Sequence, residues 1–377
     1  MRENTFIITG AGASGLLLAY AIANDTYFDD YQILIIDKEI KNKNDRTWCF
    51  WEKEANDFEH LLMHSWQNLQ IGGKHTFMQI PTAPYTYKML QSKPFYKAIM
   101  NTITAKTNMT FIEDTIVAVN DKDTYVEVVT NKATYEGAKV FSSLLKSDEI
   151  TKTTKPLLWQ HFKGWYIKTE NKEFDSDAAT FMDFSIPQEG NTCFMYVLPI
   201  SATEALVEYT LFSDELLEDK AYDKALENYL TTLDIANYTV TETEKGKIPM
   251  TTHNFYTKNT KNVLHIGTSG GFTKPSTGYT FKSMQKRIPL IIEAIKNNTS
   301  LDTLFSTNRF TSYDTILLEL LAKENHLGSE IFISLFENNP IASILKFLDE
   351  DTSHAEELAI INTLPKKPFL KAFKRIL

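Results

Sequence analysis

The hexapeptide GAGASG, residues 10–15, stands directly between the apolar runs TFIIT and LLLAYAIA. A buried strand, a glycine turn and a helix in that order leave few folds open. Gly10 permits the tight turn, Gly12 lets a pyrophosphate approach the backbone, and Gly15 lets the helix pack on the strand. Ala11, Ala13 and Ser14 complete a loop whose amides face the positive end of the helix. The second apolar run, QILIID, ends in Asp37, 22 residues after Gly15, where a carboxylate accepts ribose hydroxyls, with Lys38 beside it. The pattern predicts dinucleotide binding; the alternative is a glycine turn without a ligand. A hairpin before the next strand and a second glycine cluster after residue 260 favour FAD over NAD. Arg46, nine residues past Asp37, is placed to reach a phosphate.

A chain of 377 residues exceeds one compact core, which implies two or three lobes. Residues 109–130 read as a strand and a hairpin, residues 138–143 as a closing strand, and residues 262–267 as another buried strand. Residues 155–250 alternate aromatic strands with turns, which is more like a second sheet than a doubly wound core. Beyond residue 301 the chain turns helical. The expected class is α/β: a Rossmann-type FAD-binding domain interrupted by a mixed β-sheet substrate domain, with a helical C-terminal part. The expected boundaries are residues 1–74, 101–150 and 255–300 for the nucleotide domain. Residues 75–100 and 151–254 fall to the substrate domain, and 301–377 to the helical region.

The net charge of -9 argues against general nucleic-acid binding, which neutralises phosphates. Cys49 and Cys193 have no metal-like spacing, so neither a disulfide framework nor a zinc site is expected. That cysteine usage predicts a reduced, cytoplasmic protein. No apolar run reaches the roughly 18 residues of a membrane span, and the first strand starts too early for a signal peptide.

One acid interrupts an apolar strand in ALVEYTLFS, residues 205–213. With side chains alternating, Ala205, Val207, Tyr209 and Leu211 form one face, and Leu206, Glu208, Thr210 and Phe212 the other. Taken alone, Glu208 reads as facing water.

Several further stretches give that acid a context. DRTWCFWE (45–52), FMDF (181–184), YVLP (196–199), VEYT (207–210), GKIPM (246–250) and KPSTGYTF (274–281) occur in the order found in the FAD-dependent lycopene cyclases, and the chain resembles that family over nearly its whole length. The resemblance implies a non-redox, acid-catalysed closure of the linear ends of lycopene to β-ionone rings, with reduced FAD and NADPH as its reductant. It implies Glu208 as the acid. Asp183 is a second candidate, read in preference as a hydrogen-bonded residue that holds the site together. Gly267, Thr268, Pro275, Thr277, Gly278 and Tyr279 are the expected cofactor contacts of the late segment, although Thr268 stands where related flavoproteins often carry Asp. Trp165, Phe181, Phe184, Phe194 and Tyr196 are expected either to wall a cation-tolerant substrate site or to pack a core. The rivals are a flavin reductase or monooxygenase acting on another isoprenoid, and a carotenoid-binding protein with a vestigial nucleotide site.

The last stretch, PKKPFLKAFKRIL, places Phe369, Leu370, Phe373, Ile376 and Leu377 on one helical face. The rest is basic and holds no acid. Such a helix predicts peripheral attachment to a membrane surface.

Overall fold

The computed structural model describes residues 4–145 and 147–377. Its first layer is a five-stranded parallel sheet in the spatial order Val263–His265, Lys139–Ser142, Thr5–Thr9, Gln32–Asp37 and Met109–Glu113. These strands are apolar on both faces because both are covered. Ile8, Ile35 and Phe141 meet the helices Ala13–Ala23, Ser92–Thr104 and Phe281–Lys296. Ile7, Ile36 and Val140 meet a three-stranded antiparallel sheet through Val126 and Val128. The expected strand–hairpin–strand series of residues 109–142 is thus present as five strands.

The second layer is a seven-stranded sheet in the order Tyr238–Thr251, Leu157–Thr169, Glu204–Ser213, Thr192–Ser201, Ala178–Asp183, Asn68–Gly72 and Phe77–Pro81. All its pairings are antiparallel except that of Ala178–Asp183 with Asn68–Gly72. One face packs on the helix Asp219–Thr232 through Val207, Leu211, Tyr222 and Leu226. The other carries Leu206, Phe194 and Phe212 and meets the C-terminal helices through Leu318, Leu321, Ile331 and Phe332. A small sheet of Thr47–Glu52, Thr86–Gln91 and His64–Trp66 joins the two layers.

Two expected boundaries differ from this arrangement. Residues 68–72, assigned to the nucleotide domain, form a strand of the seven-stranded sheet. Residues 92–100, assigned to the substrate domain, belong to the helix Ser92–Thr104, whose Phe95, Tyr96, Ile99 and Ile103 pack into the nucleotide-domain core. That helical stripe, spaced for one buried face, decides its partner.

Beyond residue 301 the helices Arg309–Glu324, Gly328–Glu337, Ile341–Leu348, His354–Thr363 and Lys366–Ile376 follow. Two start from capping boxes, Asn308 with Thr311 and Ser353 with Glu356, which satisfy otherwise orphaned amides.

Candidate active site

The glycine loop is built as its spacing requires. Gly10 has φ of +95°, and its amide bonds the Ile36 carbonyl at 2.8 Å. A Cβ on Gly15 would lie 2.0 Å from the Gly10 carbonyl oxygen, so this crossing of helix over strand needs glycine. A Cβ on Gly12 would meet nothing within 4 Å. That open side faces a cleft of about 500 Å³, which Gly12, Ala13 and Ser14 line at the start of the helix. No side chain caps that helix, so its first amides are left for a ligand.

Asp37 is buried and turned onto the loop. Its Oδ2 accepts from the Ala11 amide at 2.6 Å, its Oδ1 from the Glu39 amide at 3.0 Å, and Lys41 Nζ lies 3.3 Å away. Asp37 therefore holds the loop in shape as well as standing at its edge. Lys38 is exposed beside Glu39 and does not line the cleft; Lys41, which the sequence did not single out, does. Arg46 lines the mouth.

The late segment closes the cleft from the other side. Gly267 has φ of +65°, and a Cβ there would stand 2.6 Å from Ser14 Oγ. Thr268, Thr273 and Thr280 form a hydroxyl chain at 3.0 and 2.9 Å. Gly278, with φ of +74°, lies against Gln160, whose Oε1 a Cβ would approach to 2.2 Å. Gln160 Oε1 and Thr277 Oγ1 are buried at the cleft without hydrogen-bond partners. Pro275 faces a smaller cavity on the far side of the segment, while Tyr279 borders both. An open helix N-terminus at one end and orphaned polar atoms further along fit a long, polar-ended cofactor such as FAD. Gly12, Ala13, Ser14, Arg46, Gly267, Thr268, Thr277, Gly278 and Tyr279 line the cleft and would hold it, with Gly10 shaping the turn beneath them.

Further along the same cleft lies Glu208, on the cleft face of its strand between Leu206 and Thr210. Thr210 Oγ1 donates to its Oε1 at 2.7 Å. Tyr196 stands directly opposite on one neighbouring strand and Gly164 on the other. Gly164 is also opposite Glu244 on the next strand, and the carboxyls of Glu208 and Glu244 meet as a hydrogen-bonded pair. Burial, then the neighbouring Glu244 charge, pushes the Glu208 carboxyl well above the usual carboxylate range. Glu244 accepts from Thr47 Oγ1 at 2.7 Å, and Thr47 in turn bonds the Tyr166 hydroxyl at 2.6 Å. Tyr87 and Tyr279 lie near Tyr196, whose hydroxyl is 3.5 Å from that of Tyr279. Burial raises all three phenols, so they stay neutral. The arrangement presents a carboxyl whose burial favours its protonated form to an aromatic-lined space.

The expected substrate walls divide. Tyr196 lines the cleft. Phe181 stands one layer behind, with its ring centroid 5.4 Å from that of Tyr87 and 6.0 Å from that of Tyr196. Phe184 and Phe194 pack with each other and with Phe332 and Phe212, which makes them core between sheet and C-terminal helices. Trp165 is on the opposite face of the sheet with Tyr238, because strand alternation sends 165 outward and 166 inward. Tyr166 is on the inner face, where its hydroxyl bonds Thr47 behind the cleft wall. Asp183 likewise points away from the cleft: its Oδ2 accepts from the Tyr229 hydroxyl at 2.7 Å and its Oδ1 from the Ser185 amide at 2.9 Å.

Glu244, Tyr87 and Gln160 went unnoticed in the sequence. One signal was available for them. Gly164 interrupts the strand FKGWYIKT, and an isolated strand glycine marks a close approach of neighbours.

A family model described as lycopene cyclase protein matches residues 6–374. A chloroplastic neoxanthin synthase of Solanum lycopersicum is 23% identical over 313 residues, covering 77% of this chain and 60% of the relative. The chain thus spans about three fifths of that relative's length. A lycopene beta-cyclase of Pantoea ananas is 22% identical over 316 residues, covering 80% of this chain and 75% of that one. Among solved structures, a geranylgeranyl bacteriochlorophyll reductase-like protein of Thermoplasma acidophilum aligns with a TM-score of 0.64 over 100% of both chains at 12% identity. A triple mutant of the flavin-dependent brominase Bmp2 aligns at 0.65, 12% identical, over 98% and 99%. The halogenase PltM, solved with phloroglucinol and FAD, aligns at 0.59, 11% identical, over 99% and 90%. At these identities the likeness is one of fold, shared with flavin-dependent enzymes.

Proposed function

Because the chain belongs to the lycopene cyclase family, we propose that it closes the linear ends of lycopene or a related carotenoid to β-ionone rings, giving γ-carotene and β-carotene without net redox change. The observation that carries this reading is a buried Glu208 carboxyl, pushed well above the usual carboxylate range by burial, in the same cleft as the glycine loop. A polyene is a very weak base, so its proton donor must be a carboxyl kept neutral and away from water. The Glu208 proton adds to the terminal double bond. The resulting tertiary cation is attacked by the next double bond, the six-membered ring closes, and a proton leaves an adjacent ring carbon. One proton enters and one leaves, so the sum is an isomerisation. Tyr196, Tyr87, Tyr279 and Phe162 present aromatic surface to the charge. FAD, when bound and kept reduced by NADPH, would supply an electron-rich surface beside that charge.

The C-terminal helix suits a substrate delivered from lipid. It docks on the helix Arg309–Glu324 through Ala372 and Phe369 and leaves Leu370, Phe373, Ile376 and Leu377 exposed beside Lys366, Lys367 and Lys374. Among the described residues no helix is long and apolar enough to cross a membrane; we infer attachment to one leaflet.

The likeness to reductase-like and halogenating flavoproteins favours one rival, in which the flavin turns over on an isoprenoid. NADPH consumed per molecule of product separates the two. A cyclase consumes far less than one equivalent once FAD is reduced. One equivalent or more per product would establish the rival.

A further inference from the structure

We propose that Glu244 is a positioning residue: paired with Glu208 across the side-chain-free Gly164, it holds the acid's carboxyl in one orientation and shares its proton. This rests on the reading of Glu208 as the acid.

The geometry is set by strand register. Gly164 has Glu208 opposite it on one side and Glu244 on the other, so both glutamates project to the same face over the same point. A Cβ at 164 would stand 2.8 Å from Leu206 Cδ1, 3.3 Å from Glu244 Cγ and 3.4 Å from Glu208 Cβ. Any larger side chain would come between the carboxyls. Each acid is also held on its outer side by a hydroxyl: Thr210 on Glu208 at 2.7 Å, and Thr47 on Glu244 at 2.7 Å. A carboxyl gripped at both ends has one orientation available.

Two facing carboxylates in an apolar cleft do not both ionise; the pair keeps a proton. The surroundings say where it rests. Burial raises the Glu244 carboxyl as well, but less than that of Glu208, because the Thr47 hydroxyl, Glu208 and Arg46 favour its charge while Glu242 opposes it. Glu208 is enclosed by Leu206, Tyr196 and Thr210; Cys49, Tyr87, Tyr96 and Tyr279 also line the cleft, with the charged groups of Lys41, Asp45, Arg46 and Lys247, and Tyr166 is bonded to Thr47 behind it. Burial pushes the Cys49 thiol and the phenols of Tyr87, Tyr96, Tyr166, Tyr196 and Tyr279 up, so they stay neutral. The proton therefore sits on Glu208 and the negative charge on Glu244. After each turnover the paired carboxyls let the proton lost by the substrate return to Glu208.

The test compares FAD-loaded wild type, Glu208→Gln, Glu244→Gln and Glu244→Asp on lycopene in phosphatidylcholine vesicles. Cyclisation is followed across pH, and the protonated-carboxyl infrared band is titrated alongside, assigned by its loss in Glu208→Gln. Without the Glu244 charge, Glu208 ionises at lower pH. In Glu244→Gln both the alkaline limb of activity and the band should therefore move down by about one pH unit or more. Glu244→Asp keeps the charge and should keep the limb near its wild-type position at a reduced rate. If Glu244→Gln does not fold, Gly164→Ala, which presses the carboxyls apart, should move the limb and band in the same direction. Limb and band unchanged in the folded variant overturn the proposal. Near wild-type cyclisation by Glu208→Gln would instead overturn the assignment of Glu208 on which it rests.

Discussion

The Lys274 ammonium lies 3.1 and 3.0 Å from the two carboxylate oxygens of Asp314, with both side chains buried. Glu350 adds a third contact at 3.1 Å. Lys274 opens the segment that carries Thr277, Gly278 and Tyr279 into the cleft, and Asp314 sits on the helix Arg309–Glu324. The pair fastens the cleft wall to the C-terminal helices. Asp314→Ala leaves the buried ammonium with only the partly exposed Glu350 and should cost up to about 3–5 kcal/mol in chemical unfolding. The double change Lys274→Met with Asp314→Leu removes both charges and should cost clearly less.

Glu208 gives stability an inverse dependence on pH. Its folded carboxyl holds a proton above the pH at which the unfolded one has lost it, so the folded state binds more protons. Stability from this group is greatest below about pH 4 and falls as pH rises toward the raised folded value. Each unit of separation is worth about 1.4 kcal/mol. Glu208→Gln should therefore flatten the curve and be at least as stable as wild type at neutral pH. Denaturant midpoints between pH 4 and 8 check this; a Gln variant markedly less stable at neutral pH would contradict it.

His161 acts in the opposite sense. It lies buried between the Ser213 and Tyr222 hydroxyls, each at 2.6 Å, and burial lowers it to about 4. The folded state binds fewer protons than the unfolded one between about pH 6.5 and 4, so stability should fall by roughly 2–3 kcal/mol across that window as pH falls. In His161→Gln the slope over this window should shrink, whatever the variant's absolute stability.

The glycine loop separates folding from cofactor binding. Gly12→Val points into open space and should fold normally, yet lose FAD by at least about a hundredfold in affinity, because the pyrophosphate has no other approach. Gly15→Val meets the Gly10 carbonyl and should fail to fold. Circular dichroism with flavin absorbance distinguishes the two. Normal flavin binding by Gly12→Val would move the cofactor elsewhere.

At the C-terminus, Leu370 and Phe373 are 58% and 40% exposed, while Lys371 and Arg375 are turned to Glu324. Replacing Leu370 and Phe373 together by Ser removes apolar surface worth a few kcal/mol in lipid. Partitioning onto anionic liposomes should drop at least about tenfold. Unchanged co-sedimentation would make the helix a structural element alone.

Local signals were legible where one residue type serves one purpose. The glycine loop, the both-face apolar strands and the alternation that puts Glu208 opposite Val207 were all readable from spacing. What could not be read was register between strands. Trp165 looks no different from Tyr166 until the sheet fixes which face each occupies. The pairing of Glu208 with Glu244 depends on two strands meeting Gly164 from opposite sides, 36 residues apart in the chain. Asp183 interrupts an apolar strand much as Glu208 does, and only Tyr229, on a distant helix, tells them apart.

The central claim is that a protonated Glu208 closes the carotenoid ring. Its most direct test is pigment chromatography of a lycopene-accumulating bacterial host expressing either wild type or Glu208→Gln, with FAD content measured on the purified proteins. The account predicts γ-carotene and β-carotene from wild type, and unconverted lycopene from a Gln variant that still binds FAD. Lycopene left unchanged by wild type, or cyclised by the Gln variant at a rate near wild type, would contradict it.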